Sequence, residues 1–188
     1  MKISENVYVF SHTNERRRTF PGSYEKTGTA GYGSAASSAR PDANTRKWLE
    51  LFLDEIGLRT LGGKAFDWNR VETRGDKVYY LPPVNTSFRG LTFLRNGLYL
   101  GDLKKNRFEP SQPFALALHK NDVKAVISLP LNDSRLTRYL KGETLLIEEG
   151  EACGKKGWHL LCAEGYPLGF GKLVNGTLKN KYPAGWRV

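Results

Sequence analysis

The sequence predicts an α+β protein in which a small helix-led unit is followed by a β-rich module. Three observations carry this. One amphipathic helix stands out near residue 50, with Trp48, Leu49, Phe52, Leu53 and Ile56 at i, i+1, i+4, i+5 and i+8. From residue 98 onward the chain reads as short β-favouring runs divided by glycines and interrupted by two short helical stretches. In residues 165–188, GYPLGFGKLVNGTLKNKYPAGWRV, glycines at 165, 169, 171, 176 and 185 cut the chain into extended pieces and turns. Short strands with glycine turns and one or two short helices close most readily into a small β-barrel.

At 188 residues the chain can form one sizeable domain or two small ones. Its net charge of +10 and pI near 9.6 imply an acidic partner, nucleic acid ahead of an anionic membrane surface. No apolar run approaches the roughly 20 residues needed to span a bilayer. The first residues lack the apolar core of a secretion signal. Cys153 and Cys162 form no zinc-ligand spacing with the histidines, so a cytoplasmic protein with reduced thiols is expected.

In chain order, the first segment is residues 1–45. Val7, Tyr8, Val9 and Phe10 favour one short strand. Arg16, Arg17 and Arg18 form a cationic cluster that reads as a solvated turn. From 21 to 41 the chain is rich in Gly, Ser, Ala and Thr and reads as a linker. Its glycines at 28, 31 and 33 have the wrong spacing for a dinucleotide loop.

Residues 46–95 read as a small α/β unit. Asp42 or Thr45 caps the helix and Gly57 stops it. Extended runs follow near 66–73 and 77–81, joined by a hairpin turn at Arg74, Gly75 and Asp76, with a third strand at 91–94. A helix with antiparallel strands in about 50 residues resembles a ferredoxin-like fragment.

Residues 96–188 form the β module. Leu98, Leu100 and Leu103 line an extended run that Gly101 bends. Lys104, Lys105 and Arg107 cluster beside Phe108 as a candidate phosphate-contacting corner, with Glu109 placed to neutralise Arg107. Ser111 opens an apolar helix reaching about Lys120, with His119 at its end where a cation suits the helix dipole. A strand at 125–129, a short helix at 135–141 ended by Gly142, and strands at 144–147, 158–163, 168–174 and 178–182 complete the set. Trp158, Leu160 and Cys162 alternate with His159 and Leu161, which makes Cys162 a small core residue. Glu148, Glu149 and Glu151 read as a solvated acidic turn.

Residues 165–188 contain no Asp and no Glu, while Lys172, Lys179, Lys181 and Arg187 are set among Tyr166, Phe170, Tyr182 and Trp186. Cations set among flat rings hold phosphates and stack bases. The candidate RNA contacts are therefore Lys104, Lys105, Arg107, Lys172, Lys179, Lys181 and Arg187 for phosphates. Tyr182 or Trp186 is the candidate for stacking, and Asn180 for a hydrogen bond.

The run YPLGFGK followed by KNKYPAGWR resembles the C-terminal PUA-type module of bacterial ribosomal RNA cytosine-C5 methyltransferases of the RsmF/YebU kind, in the Nol1/Nop2/Sun family. The run GLYLGDLKKNRFEP at 97–110 and the run RYLKGE at 138–143 are similar to further blocks of that family, in the same order. The resemblance covers about 46–188. It implies a ferredoxin-like subdomain at 46–95, a PUA-like RNA-binding domain at 96–188, and rRNA as the partner. In the resembling full-length enzymes S-adenosylmethionine is the cofactor and a cysteine thiolate attacks the base. Here Cys153 and Cys162 lack the family's Pro-Cys and Thr-Cys contexts, and no strand, Gly-rich loop and helix unit is evident for the cofactor. The sequence therefore reads as a non-catalytic accessory region that positions structured rRNA for a methyltransferase catalytic domain. The alternative is a protein-interaction module docking on that domain, with its charge serving solubility.

Overall fold

The computed structural model describes residues 40–83, 97–154 and 156–188. The strand expected at 7–10, the arginine cluster at 16–18, the glycine run at 28–33 and the strand expected at 91–94 lie outside the described residues.

Helix α1 (Ala43–Ile56) begins where the Asp42 carboxylate accepts the Thr45 amide at 2.7 Å. It ends at Gly57, whose left-handed φ of 61° lets its amide reach back to the last turn. Leu49, Phe52, Leu53 and Ile56 are buried along one stripe. A 3-10 turn at Trp68–Arg70 replaces the first half of the run expected to be extended. The chain then forms β1 (Val71–Arg74) and β2 (Lys77–Tyr80), and later β3 (Leu98–Lys104) and β4 (Arg107–Pro110). These four antiparallel strands lie in sequence order, an up-and-down meander. At Gly101 an added Cβ would run into the Glu109 carbonyl oxygen, and its φ of 155° coincides with the register shift between β2 and β3. Because β2 pairs with β3, the expected division between 95 and 96 falls between two partners of one sheet.

Helix α2 (Gln112–Ala117) is shorter than the sequence predicts. The Ser111 hydroxyl caps it by accepting the Phe114 amide at 3.1 Å. Phe114, Ala115 and Leu118 are buried, but Leu116 is exposed. His119 lies in a following turn, where its amide donates to Asp122 at 2.8 Å, so it does not sit on a helix dipole. After it come β5 (Val126–Leu129), α3 (Ser134–Leu140), β6 (Leu145–Leu146), β7 (Lys156–Ala163), β8 (Tyr166–Val174) and β9 (Thr177–Asn180). Their sheet has the order β5-β7-β8-β9-β6, parallel only between β5 and β7. The architecture is a small α/β subdomain followed by a curled, PUA-like β module.

Strand β7 joins the two. Its alternation is as the sequence predicts, and it is buried on both sides. Trp158, Leu160 and Cys162 point into a core shared with α1, α2 and the first sheet. Leu161 and Ala163 point into a second core with Ile127, Leu129, Tyr139, Leu145 and Leu178. Phe52 is the hub of the first core. Its ring lies 5.2 Å from Phe108, 6.2 Å from Phe114, 5.8 Å from Trp158 and 5.6 Å from Phe170. The two units are thus packed through one aromatic cluster.

Candidate nucleic-acid interface

The second sheet has two chemically different sides. On the side toward α1, strand β7 presents Trp158 and Leu160, and β8 presents Phe170. Moving outward across the same side, register places Trp158 opposite Lys172, and Lys172 opposite Lys179. Directly paired residues share a face, so the apolar footprint of α1 runs without a break into a row of lysines. Lys181, two residues beyond Lys179, returns over the same indole. The ammonium groups of Lys172 and Lys181 lie 5.8 and 5.7 Å from the Trp158 ring centroid.

Three positive charges lie together on this side of the sheet. Lys172, Lys179 and Lys181 are all exposed. Among the described residues none of them forms an ion pair. The Trp158 ring is 7% exposed and wedged against Phe52 and Phe170, so it serves as a rigid floor for the two ammonium groups. The Glu55 carboxylate accepts the Trp158 amide at 3.1 Å, which ties the floor to α1.

The other residues singled out from the sequence fall into different roles. Asn180 is committed inside the fold: its amide group donates to the Tyr139 and Glu143 carbonyls at 2.7 and 2.9 Å, and its oxygen accepts the Tyr182 amide at 2.7 Å. Arg187 folds its guanidinium onto Gly142, at the turn after α3, and donates to the Tyr182 carbonyl at 3.4 Å. Tyr182 is half-buried against Tyr139 at 5.4 Å. Trp186 stands edge-on to Tyr182 at 6.4 Å and is 52% exposed, so it alone of the two offers a free ring. Lys104, Lys105 and Arg107 sit at the β3–β4 turn of the first sheet. Lys104 pairs with Asp102 at 3.3 Å and Arg107 with Glu109 at 2.8 Å, while Lys105 is exposed and unpaired among the described residues.

Trp158 is the residue at this site that sequence reasoning does not single out. The alternation of β7 places it in a core, and only the cross-strand register brings the lysines over it. The acidic turn also differs from expectation. Glu151 is not simply solvated but grips Arg135 with both oxygens at 2.7 Å, and Asp133 grips the same guanidinium at 2.7 Å. Hydrogen bonds from Arg135 hold the carboxyls of Asp133 and Glu151 below the usual carboxylate range.

The two cysteines lie in different surroundings, Cys153 exposed and Cys162 buried. Burial pushes the Cys162 thiol up to about 11, with Lys120 pulling weakly the other way. It is therefore protonated at neutral pH and enclosed in the core. His159 is buried, with its ring nitrogens 3.1 Å from the carbonyls of Gly157 and Cys153, and it steadies the turn before β7. Among the described residues no group of His, Cys, Asp and Glu could hold a metal ion. No described helix is long and apolar enough to cross a membrane.

A small α/β unit thus packs against a PUA-like module that bears the lysine row. Residues 52–118 match the family model described as the RsmF rRNA methyltransferase first C-terminal domain. Residues 126–188 match the model described as the methyltransferase RsmF PUA domain. Together the two matches show that the chain carries the C-terminal region of an RsmF-type rRNA methyltransferase. The two matched segments are divided between 118 and 126, on the far side of β3 and β4 from the division that the sequence predicts.

Proposed function

We propose that this chain is the RNA-holding part of an rRNA cytosine-C5 methyltransferase, and that Lys172, Lys179 and Lys181 grip the phosphate backbone of structured ribosomal RNA. The single observation that supports this most is the lysine row. Two ammonium groups meet over one indole and a third lysine stands opposite one of them, none in an ion pair among the described residues, so an anion would relieve their repulsion. Lys105 and the ring of Trp186 are both exposed and are further candidate contacts. The methyl donor S-adenosylmethionine and the attacking thiolate would belong to a catalytic domain acting on RNA held here. On this reading the protein works in the cytoplasm, where ribosomes are assembled.

Neutralising about three phosphates gives a log–log salt slope of roughly −2 to −3. Changing Lys179→Glu and Lys181→Glu together should flatten that slope by about 1.5 and weaken binding to an rRNA hairpin at low salt, with the far-UV spectrum unchanged. Equal binding by the double variant and the parent would remove the lysine row from the interface.

A further inference from the structure

The first sheet carries a second feature that the lysine row does not use. Its central strands are β2 and β3. On the inner side Val78, Tyr80 and Leu100 are buried in the core. On the outer side, Tyr79 and Tyr99 are direct cross-strand partners. Their rings lie 5.4 Å apart at 40°, both are half-buried, and neither belongs to either hydrophobic core. A tyrosine needed only for packing would turn inward, as Tyr80 does.

Cations bracket the pair. The Arg74 guanidinium carbon lies 4.9 Å from the centre of the Tyr79 ring, and the Lys77 ammonium 5.1 Å from that of Tyr99. Alternation from the inward-facing Phe108 puts Lys104 and Arg107, which are cross-strand partners, on this same outer side. Unlike the lysines of the row, each of these cations has a carboxylate partner. Arg74 pairs with Glu72 at 2.9 Å, and Asp102 receives Lys77 at 3.8 Å and Lys104 at 3.3 Å. The Tyr99 hydroxyl also donates to Asp102, which fixes the ring.

We propose that the outer face of the first sheet, centred on Tyr79 and Tyr99, stacks the bases of single-stranded RNA. Neighbouring aromatic rings on the two central strands of a four-stranded sheet are spaced to receive successive bases, and a guanidinium plane beside them extends the stack. With its charges paired internally, this face gains affinity from base stacking rather than from phosphate neutralisation. It therefore differs from the lysine row in what it takes: one sheet holds backbone, the other unpaired bases. The proposal rests on the RNA-binding reading above and assigns it a substrate class, a duplex with an adjoining single strand.

The test uses the full chain, a short oligouridine and a blunt RNA hairpin. Tyr79→Leu with Tyr99→Leu should weaken oligouridine binding about tenfold or more, by the same factor at low and high salt. Hairpin binding should be unchanged. Tyr79→Phe with Tyr99→Phe keeps the rings and should keep oligouridine affinity, which separates stacking from the Tyr99–Asp102 hydrogen bond. Independently of any variant, an oligonucleotide carrying 2-aminopurine should be quenched on binding the parent protein. Unchanged oligouridine affinity in the leucine variant, equal losses in both variants, or no quenching would overturn the stacking site. Binding of the hairpin alone would overturn it while leaving the lysine row standing. Binding of neither RNA would overturn both.

Discussion

Replacing Phe52 with alanine probes the joint between the two units. The ring is 3% exposed and meets four other rings, two of them from the second sheet's strands β7 and β8. Truncating a buried phenylalanine costs about 3–5 kcal/mol, and the rigid rings around it cannot collapse into the void, which favours the upper half of that range. A loss of that size is a large part of the roughly 5–15 kcal/mol that holds a typical domain folded. The informative quantity is where it appears. If α1, the first sheet and β7 share one core, amide exchange should accelerate at Leu160 and Phe170 as much as at Val78. Urea unfolding should also shift as a single transition with no intermediate. Faster exchange confined to the first sheet, with β7 and β8 retaining full protection, would refute the shared core and leave two independent domains.

Two further outcomes follow from other sites. Asp133 and Glu151 have folded pKa values below their ordinary 3.8 and 4.5 because both accept hydrogen bonds from Arg135. Their stabilising effect is complete above about pH 4.5 and is lost as pH falls through the lowered folded values. Solvent screening keeps it near 1 kcal/mol, and Arg135→Met should remove that part of the acid dependence of the melting temperature. Cys153 is exposed whereas Cys162 is enclosed with its thiol raised to about 11, so a thiol reagent at neutral pH should modify one cysteine in the native protein and the second only after denaturation.

The elements legible in the sequence are those set by local chemistry. Helix α1 announces itself through Asp42, the 3.6-residue apolar stripe and Gly57, and its observed span agrees to within a few residues. The β1–β2 turn follows from Gly75, and the β7 alternation from Trp158, Leu160 and Cys162. What the sequence could not supply is which face each strand gives to which partner. The two faces of β7 serve different cores, yet a mostly apolar strand reads the same whether it is shared or not. Arg187 and Asn180 have the composition of RNA contacts, but their partners lie 37 to 45 positions away, at Gly142, Tyr139 and Glu143. Periodicity carries no information on pairings at that range. Lys104 and Arg107 show the reverse: their neutralising partners, Asp102 and Glu109, are two residues away and visible in the sequence.

The lysine row also sits where stability alone would not put it. Like charges directly opposite on an antiparallel pair are destabilising by a few tenths of a kcal/mol or more, and Lys172 faces Lys179 across β8 and β9. The remedy used elsewhere in this chain is a nearby carboxylate: Glu72 beside Arg74, Asp102 between Lys77 and Lys104, Glu109 beside Arg107, Glu143 beside Arg138. Beside Lys172, Lys179 and Lys181 that remedy is absent among the described residues, although Thr177 and Val174 occupy register positions where an acid would fit without disturbing the core. A fold that gives the cations of one sheet carboxylate partners and leaves three on the next without an ion pair has its electrostatic strain concentrated at one place. Such strain, on a rigid aromatic floor fixed by Glu55 and Phe52, is a feature that function explains and folding does not.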